Sequence, residues 1–461
     1  MMIRSGVSRW TMLHFGLAVA ALLAAQVLFV LGYSDPVSGL RAPATLIGVH
    51  LLTIGWLSLL MLGALHQFVP VITNTRLYSQ RLPLYSLISI VAGLAAMLAG
   101  FLALGGSMHF TPAWLPIGGS LVLTGFVLAA INLWATLRGV RPLPLPAGFV
   151  AFGLGFLLLT GLIGLGFALA FALPRPPGWL LALSAEGLSL HVAAGLGGWF
   201  TLTVMGVSYR LLSMFMLAPD EPHRSTYAAL ILTVTGLAIL IAAGMSGVWI
   251  GTAAGWGTSI GAALAALGAL FYFVDIVRFY RARSRRHLEL NSVTAAASLT
   301  LVALALVAGA LAATLGTLDR DAAAIGYLFV FGGLTGLGLG QLYKVVPFLT
   351  WLEIFGPKLG KGPVPRVQDL VNERRAAPWF ALYLVMALLA AGSIALGHAL
   401  AWRVTVALQL AATALIVIEL WRARHPDPNA RPAPVRPPGM PAPRSESAAL
   451  AATPSRQRST T

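Results

Sequence analysis

The chain has 461 residues, of which 58% are hydrophobic and 10% charged, and its formal net charge is +16. A soluble domain carries about 25% charged residues, so this composition excludes an ordinary soluble globular protein. Cysteine is absent, which excludes disulfides, thiolate-bound zinc or iron–sulfur sites and a C-x-x-C-H haem attachment.

Hydropathy predicts twelve membrane-spanning helices, because a span needs about 20 apolar residues. In chain order they cover residues 10–33, 43–72, 84–106, 112–137, 146–173, 184–217, 226–250, 252–279, 292–316, 322–351, 378–397 and 399–421. Eleven or thirteen spans remain alternatives, and the break near Gly251 is the least distinct. The first span is too long for a removable signal peptide and lacks a cleavage site. We therefore predict an all-α polytopic membrane domain over residues 1–424.

The end of the chain, residues 425–461, differs from the rest in composition. It is rich in Pro, Ala, Arg and Ser and shows no apolar period. Such a segment buries too little apolar surface to offset its ordering entropy. We predict that it is a disordered cytoplasmic tail.

The distribution of basic residues predicts the orientation. With the N-terminus in the cytoplasm, twenty-six of the thirty Lys and Arg residues fall on the cytoplasmic side. This positive-inside bias predicts a bacterial-type inner-membrane protein with both termini in the cytoplasm. The arginines within residues 278–286 then contact anionic lipids of the cytoplasmic leaflet rather than nucleic acid.

An internal threefold repeat is indicated by the second, sixth and tenth spans. Each contains two glycines eight residues apart, at about 143 and 134 residues from the next copy. The motifs are Gly55-Trp56 with Gly63, Gly198-Trp199 with Gly206, and Gly332-Gly333 with Gly340. Small residues at this spacing also let single helices pack closely, but three matches at every fourth span favour a pseudo-threefold bundle. The repeats would cover roughly residues 1–142, 143–286 and 287–424.

Two intramembrane histidines are candidate ligands. His50 and His191 each lie about 10 Å below the outer face, on spans two and six. Imidazole is the commonest nitrogen ligand of haem iron and copper, so the two side chains are candidates for one haem or one metal ion. The alternative is that each imidazole hydrogen-bonds a neighbouring helix or water. Trp56 and Trp199 either flank the cofactor plane or serve packing alone.

The other intramembrane polar groups receive lesser roles. We expect His66 to anchor at the cytoplasmic interface and His398 to hydrogen-bond at the outer interface, and we assign no site to His14. We expect Asp275 to pair with Arg278, three residues further along the same helix.

Twelve spans with both termini inside, a pseudo-threefold arrangement and key spans two, six and ten resemble the haem–copper oxidase subunit I superfamily. Span two, from His50 to Pro70, is similar to that superfamily's second helix, where a histidine near the outer face binds the low-spin haem. His191 falls on the helix that carries a copper ligand in the superfamily. The resemblance implies haem b or copper as the cofactor of this chain.

The departures from that superfamily narrow the function. Residues 226–250 contain no histidine where the superfamily has an adjacent His-His pair, and residues 322–351 contain none where it has two. The chain is thus similar to a divergent relative of the NnrS type, membrane proteins associated with nitric oxide stress. The missing ligands argue against a conventional oxygen or nitric oxide reductase, and whether the chain is an enzyme stays open.

Three functions remain open from the sequence. The first is a protein that binds haem or metal through His50 and His191, with a redox, nitric-oxide-related or accessory respiratory role. The second is a cofactor-free transporter or oxidase assembly factor with the same architecture. The third is a structural partner of other respiratory-chain subunits.

Overall fold

A computed structural model describes residues 5–37, 39–107, 109–219, 221–251 and 255–427. All regular structure in these ranges is helical, and twelve helices are long and apolar enough to cross a membrane, as the hydropathy predicts. They are α1 (Ser5–Val30), α2 (Pro43–Thr73), α3 (Leu82–Leu104), α4 (Trp114–Arg138), α5 (Leu145–Ala172), α6 (Leu188–Met216), α7 (Arg224–Ile250), α8 (Gly255–Arg281), α9 (Leu290–Thr314), α10 (Leu318–Ile354), α11 (Glu373–Ala395) and α12 (Ala399–Arg424).

Some helix boundaries differ from the predicted ones for local reasons. A separate short helix, Gly178–Glu186, precedes α6, which therefore begins later than predicted. Helix α11 begins earlier, at Glu373, because the Asn372 side chain accepts a hydrogen bond from the backbone N–H of Arg375 and caps the helix. Helix α7 ends where Gly251 adopts φ +69°, a conformation that glycine takes without strain. The predicted start of span eight at 252–254 and all but three residues of the predicted tail lie outside the described residues.

The centre of the bundle is formed by α2, α6 and α10. In the apolar 18-residue stretch of each of these helices, 56–67% of the residues are buried, whereas the share is 28–44% in the other nine spans. Helix α12 packs against α1, so that the last span contacts the first. Every fourth helix therefore lies innermost, which fits a repeated unit of four spans.

Each of these three central helices contains a π-helical stretch. The stretches are Leu51–Ser58 in α2, Ala193–Thr201 in α6 and Leu328–Thr335 in α10. π-Helical turns are rare in proteins, and many of those that occur lie at functional sites. All three contain the first glycine of the repeated sequence motif, so the motif coincides with the irregular part of each helix.

The π-helical stretches are joined by hydrogen bonds that follow one rule. The indole N–H of Trp56 donates to the hydroxyl of Thr335 at 3.0 Å, and the indole N–H of Trp199 donates to the hydroxyl of Ser58 at 3.2 Å. In both bonds the acceptor lies two residues after the second residue of the repeated motif: Thr335 follows Gly333 in α10, and Ser58 follows Trp56 in α2. Gly333 stands in α10 where the other two helices have a tryptophan, and it has no side chain to donate a third bond.

The third and fourth helices of the first two predicted repeats pack backbone against backbone. A β-carbon on Gly93 would lie 2.6 Å from the backbone nitrogen of Val122, and one on Gly236 would lie 2.4 Å from that of Ala265. Equivalent close approaches occur at Gly118 and Gly261, and at Gly125 and Gly268. Members of each pair are about 143 residues apart, so the two helix pairs repeat the same contacts; the repeat boundaries themselves stay a prediction.

One buried polar side chain on the fourth helix of each predicted repeat binds the chain near the start of the third helix. In the first repeat, Asn132 accepts a hydrogen bond from the Ser79 N–H at 2.8 Å. In the second, Asp275 accepts from the hydroxyls of Ser225 and Thr226 at 2.5 and 3.0 Å. In the third, Glu419 accepts from Arg375 at 2.6 Å. Asp275 also pairs with Arg278 at 2.9 Å, which confirms the predicted ion pair. These bonds satisfy polar groups that would be costly if left unpartnered in an apolar interior.

Candidate functional site

His50 lies immediately before the π-helical stretch of α2. Its Nδ1 lies 2.8 Å from the carbonyl oxygen of Leu46, and its ring centroid lies 4.9 Å from that of Phe101. A carbonyl can only accept, so Nδ1 carries the proton and Nε2 carries the free lone pair. This is the tautomer that a metal-binding histidine requires when it coordinates through Nε2.

His191 lies two residues before the π-helical stretch of α6, and its register differs by two residues from that of His50, which aligns with Ala193. Its Nδ1 is buried without a hydrogen-bond partner, and its ring meets Phe167 edge-on at 5.5 Å. A β-carbon on Gly164 would lie 3.0 Å from Cε1 of this imidazole, so a larger residue there would press on the ring. The structure thus places both candidate ligands within two residues before the π-helical stretches of central helices.

The third central helix carries a tyrosine at the corresponding place. Tyr327 directly precedes the π-helical stretch of α10 and donates to Oε1 of Gln409 at 2.6 Å, while its ring stacks on Phe331 at 4.4 Å. This polar group has a protein partner, whereas Nδ1 of His191 has none. Among these three aligned regions, the unpartnered nitrogen belongs to His191 on α6.

The two candidate flanking tryptophans are fully accounted for by helix packing. Trp56 and Trp199 are 0% and 1% exposed, and each indole N–H is already bonded to a hydroxyl on another central helix. Their rings fix the relative position of the helices that carry His50 and His191. A role beside a cofactor plane stays a prediction.

A second histidine pair was missed in the sequence. His14 on α1 and His66 on α2 are 0% and 1% exposed, with ring centroids 5.8 Å apart. The expectation that His66 anchors at an interface is wrong, because its side chain is enclosed between helices. The motif glycine Gly63, one turn before His66, is the sequence feature that indicated a close helix contact there.

The donor sets can be described for the part of the chain that the structure covers. Within it, no group of three or more His, Asp and Glu side chains is placed to hold a metal ion. Two imidazoles fit a haem, because the porphyrin supplies four further nitrogens and needs only axial ligands from the protein. His50 and His191 are the two imidazoles that the sequence offers for this role; Nδ1 of His50 is held by the Leu46 carbonyl, and Nδ1 of His191 is buried without a hydrogen-bond partner.

An open cavity of about 480 Å³ lies at the other end of the bundle. It is at the basic face, which we define as the end where the even-numbered helices finish and where Arg285, Lys344 and Arg424 lie. Glu289 lines the cavity and accepts hydrogen bonds from Arg285, Lys344 and Gln368. Burial works to raise the pKa of Glu289, but Lys344 and Arg285 outweigh it and hold that pKa below its usual value.

No protein-family model matches this chain, and no curated protein matches it either.

Proposed function

We propose that this integral membrane protein binds one haem through His50 and His191, with a copper ion as the alternative cofactor. The observation that carries the proposal is a pair of intramembrane imidazoles beside the π-helical stretches of α2 and α6. The Leu46 carbonyl holds Nδ1 of His50 and leaves its Nε2 to act as a ligand, and Nδ1 of His191 is buried without a hydrogen-bond partner. Its role would be redox, nitric-oxide-related or accessory to respiration in a bacterial-type inner membrane.

The protein's own contribution is to orient the two imidazoles. The Leu46 carbonyl fixes the ring of His50 and makes its Nε2 a better donor, as outer-shell partners of metal ligands do. Phe101 and Phe167 pack against the two rings and keep the site apolar. A haem bound there would supply one-electron chemistry.

The proposed role is not that of a conventional terminal oxidase. Helices α7 and α10 contain no histidine in their sequence, so the superfamily's copper ligands and its two helix-ten haem ligands have no counterparts. Two histidine ligands, His50 and His191, would suit a haem that transfers electrons.

The test is an absorption spectrum of the full-length protein purified in detergent from haem-replete cells, with metal analysis. We expect a Soret band that falls at least fivefold in His50→Ala and in His191→Ala. His398→Ala, outside the proposed site, is the control and should keep the band. A colourless and metal-free wild-type protein, or a band unchanged in both variants, would contradict the proposal.

A cofactor-free transporter or oxidase assembly factor is the second candidate. Tyr327 favours it, because the third central helix keeps its π-helical stretch with no ligand at this place. This candidate predicts that the His50→Ala, His191→Ala double variant folds normally and retains its phenotype in export or oxidase biogenesis.

The basic face is the proposed contact for other partners. Arg278 and Arg286 are exposed there, beside the Arg285 and Lys344 side chains that hold Glu289. We infer that anionic lipid headgroups bind at this face, and that respiratory-chain or assembly subunits are its candidate protein partners.

A further inference from the structure

The His14–His66 pair lies near the basic face, in the seam between α1 and α2. Its ring planes are inclined by 56°, and Nε2 of each imidazole is buried without a hydrogen-bond partner. His66 is seven residues from the end of α2, which places the pair about 10 Å inside the bundle. Leaving a buried polar atom unpartnered costs about 1–3 kcal/mol, so these two nitrogens require an explanation.

The second predicted repeat shows what packing alone requires at this place. A β-carbon on Gly63 would lie 2.6 Å from Cβ of His14, and one on Gly206 would lie 2.7 Å from Cβ of Phe149. The ring partner of Phe149 is Tyr209, at 5.4 Å. A Phe–Tyr contact therefore fills the equivalent seam, and the imidazole nitrogens of the first repeat are not needed for packing.

The neighbouring polar groups leave both Nε2 atoms free. Nδ1 of His14 donates to the Trp10 carbonyl at 2.8 Å, so its Nε2 holds the lone pair. The Thr11 hydroxyl donates a hydrogen bond to the carbonyl of Gly63 at 3.1 Å and accepts one from the side-chain amide of Gln67 at 3.2 Å. The polar groups of Thr11 and Gln67 thus bond to each other and to the Gly63 carbonyl, and not to the imidazoles.

We propose that His14 and His66 bind one monovalent d10 cation, Cu(I), between their Nε2 atoms. With metal–nitrogen bonds of about 2.0 Å, two imidazoles on opposite sides of one ion have ring centroids about 6 Å apart, and the observed separation is 5.8 Å. Zinc takes four ligands in structural sites, whereas Cu(I) is stable with two. A single positive charge also costs least to desolvate among apolar helices.

A haem does not fit this seam. Gly63 lies so close to the His14 side chain that not even a methyl group fits between the two residues. A bare ion needs no more space than the gap between the two rings. The site is independent of the proposed haem site, because it uses neither His50 nor His191.

The test uses the full-length protein in detergent, titrated with Cu(I) against a chromophoric Cu(I) chelator under a reductant. We expect the His14→Phe, His66→Tyr double variant, which installs the ring pair of the second repeat, to lose one equivalent of Cu(I) per chain. The His50→Ala, His191→Ala double variant should keep that equivalent, which separates this proposal from the haem proposal.

X-ray absorption of the wild-type protein loaded with one Cu(I) is the second measurement and does not depend on any variant. We expect an edge typical of two-coordinate Cu(I) with nitrogen ligands only. Three or four ligands, no Cu(I) binding by the wild type, or unchanged stoichiometry in the Phe/Tyr variant would each overturn the proposal. If that double variant does not fold, His66→Tyr alone should lose the same equivalent.

Discussion

Glu289 stands at the basic face just before α9 and holds Arg285 and Lys344 with its two carboxylate oxygens. A carboxyl group whose pKa is lowered on folding stabilises the folded state above its unfolded pKa. That stability is lost as the pH falls through the lower folded pKa. For Glu289 the loss begins below pH about 4.5, the ordinary value for a glutamate side chain.

We expect Glu289→Gln to lower the thermal unfolding midpoint at pH 7, with the difference from wild type shrinking as the pH is lowered below about 4.5. Intrinsic tryptophan fluorescence of the detergent-solubilised protein measures both midpoints. Glu186→Gln, at an exposed side chain, is the matched control and should change stability by less than about 0.5 kcal/mol. A pH-independent difference at Glu289 would contradict the role of its charge.

The sequence predicted individual residues only where their type and depth carried the information. His50 and His191 could be singled out because an imidazole in a membrane span is costly and is usually functional. His14 and His66 could not be paired, because no one-dimensional pattern gives the distance between residues on two different helices. The cavity beside Glu289 was missed for the same reason, since residues from two distant connections line it.

At the scale of helices, the paired glycines of α3, α4, α7 and α8 decide how closely these spans pack. The atoms that a β-carbon would strike at Gly93 and Gly236 belong to backbone, which cannot rotate away as a side chain can. Overpacking of this kind costs about 1–3 kcal/mol. The two positions should therefore respond alike if the helix pairs are equivalent.

We expect Gly93→Ala and Gly236→Ala each to destabilise the protein by about 1–3 kcal/mol in reversible detergent unfolding. Gly155→Ala and Gly392→Ala are controls in open space, where alanine should be neutral or stabilise by up to about 1 kcal/mol. A neutral result at either paired glycine would show that the helices can separate there at little cost.

The spans themselves were predictable, and their irregular parts were not. Twenty apolar residues leave few alternatives to a membrane helix, so all twelve were found within a few residues. The π-helical stretches differ from α-helix by one step in the hydrogen-bond pattern, which no residue type specifies. The repeated glycine motif marked their places without indicating what happens to the backbone.

At the scale of the whole molecule, the charge distribution predicts which face of the bundle meets the cytoplasm. The chain has no cysteine, so a single introduced thiol is an unambiguous reporter. Thr111, between α3 and α4, and Ser284, between α8 and α9, are exposed on opposite faces. The positive-inside rule places Ser284 in the cytoplasm.

We expect Thr111→Cys to react with a membrane-impermeant maleimide added to spheroplasts, and Ser284→Cys to react only after the membrane is permeabilised. Gel shift of the labelled protein measures both, and the unmodified chain provides the blank. The opposite pattern would invert the predicted topology, and equal labelling of both positions in sealed membranes would contradict opposite faces.

The π-helical stretch of α2 also sets the rotation about the helix axis between the residues before it and the residues after it. Each α-helical residue advances about 100° around its axis, and a π turn contains more residues than an α turn. Deleting one residue from Leu51–Ser58 and letting it relax to α-helix would therefore turn everything beyond it relative to His50. His66 would swing out of the seam with His14, while His50 kept its neighbours. The stretch thus sets the rotation of the second half of α2 relative to the first. It lets two histidines of one helix, about 20 Å apart, face two different partner helices.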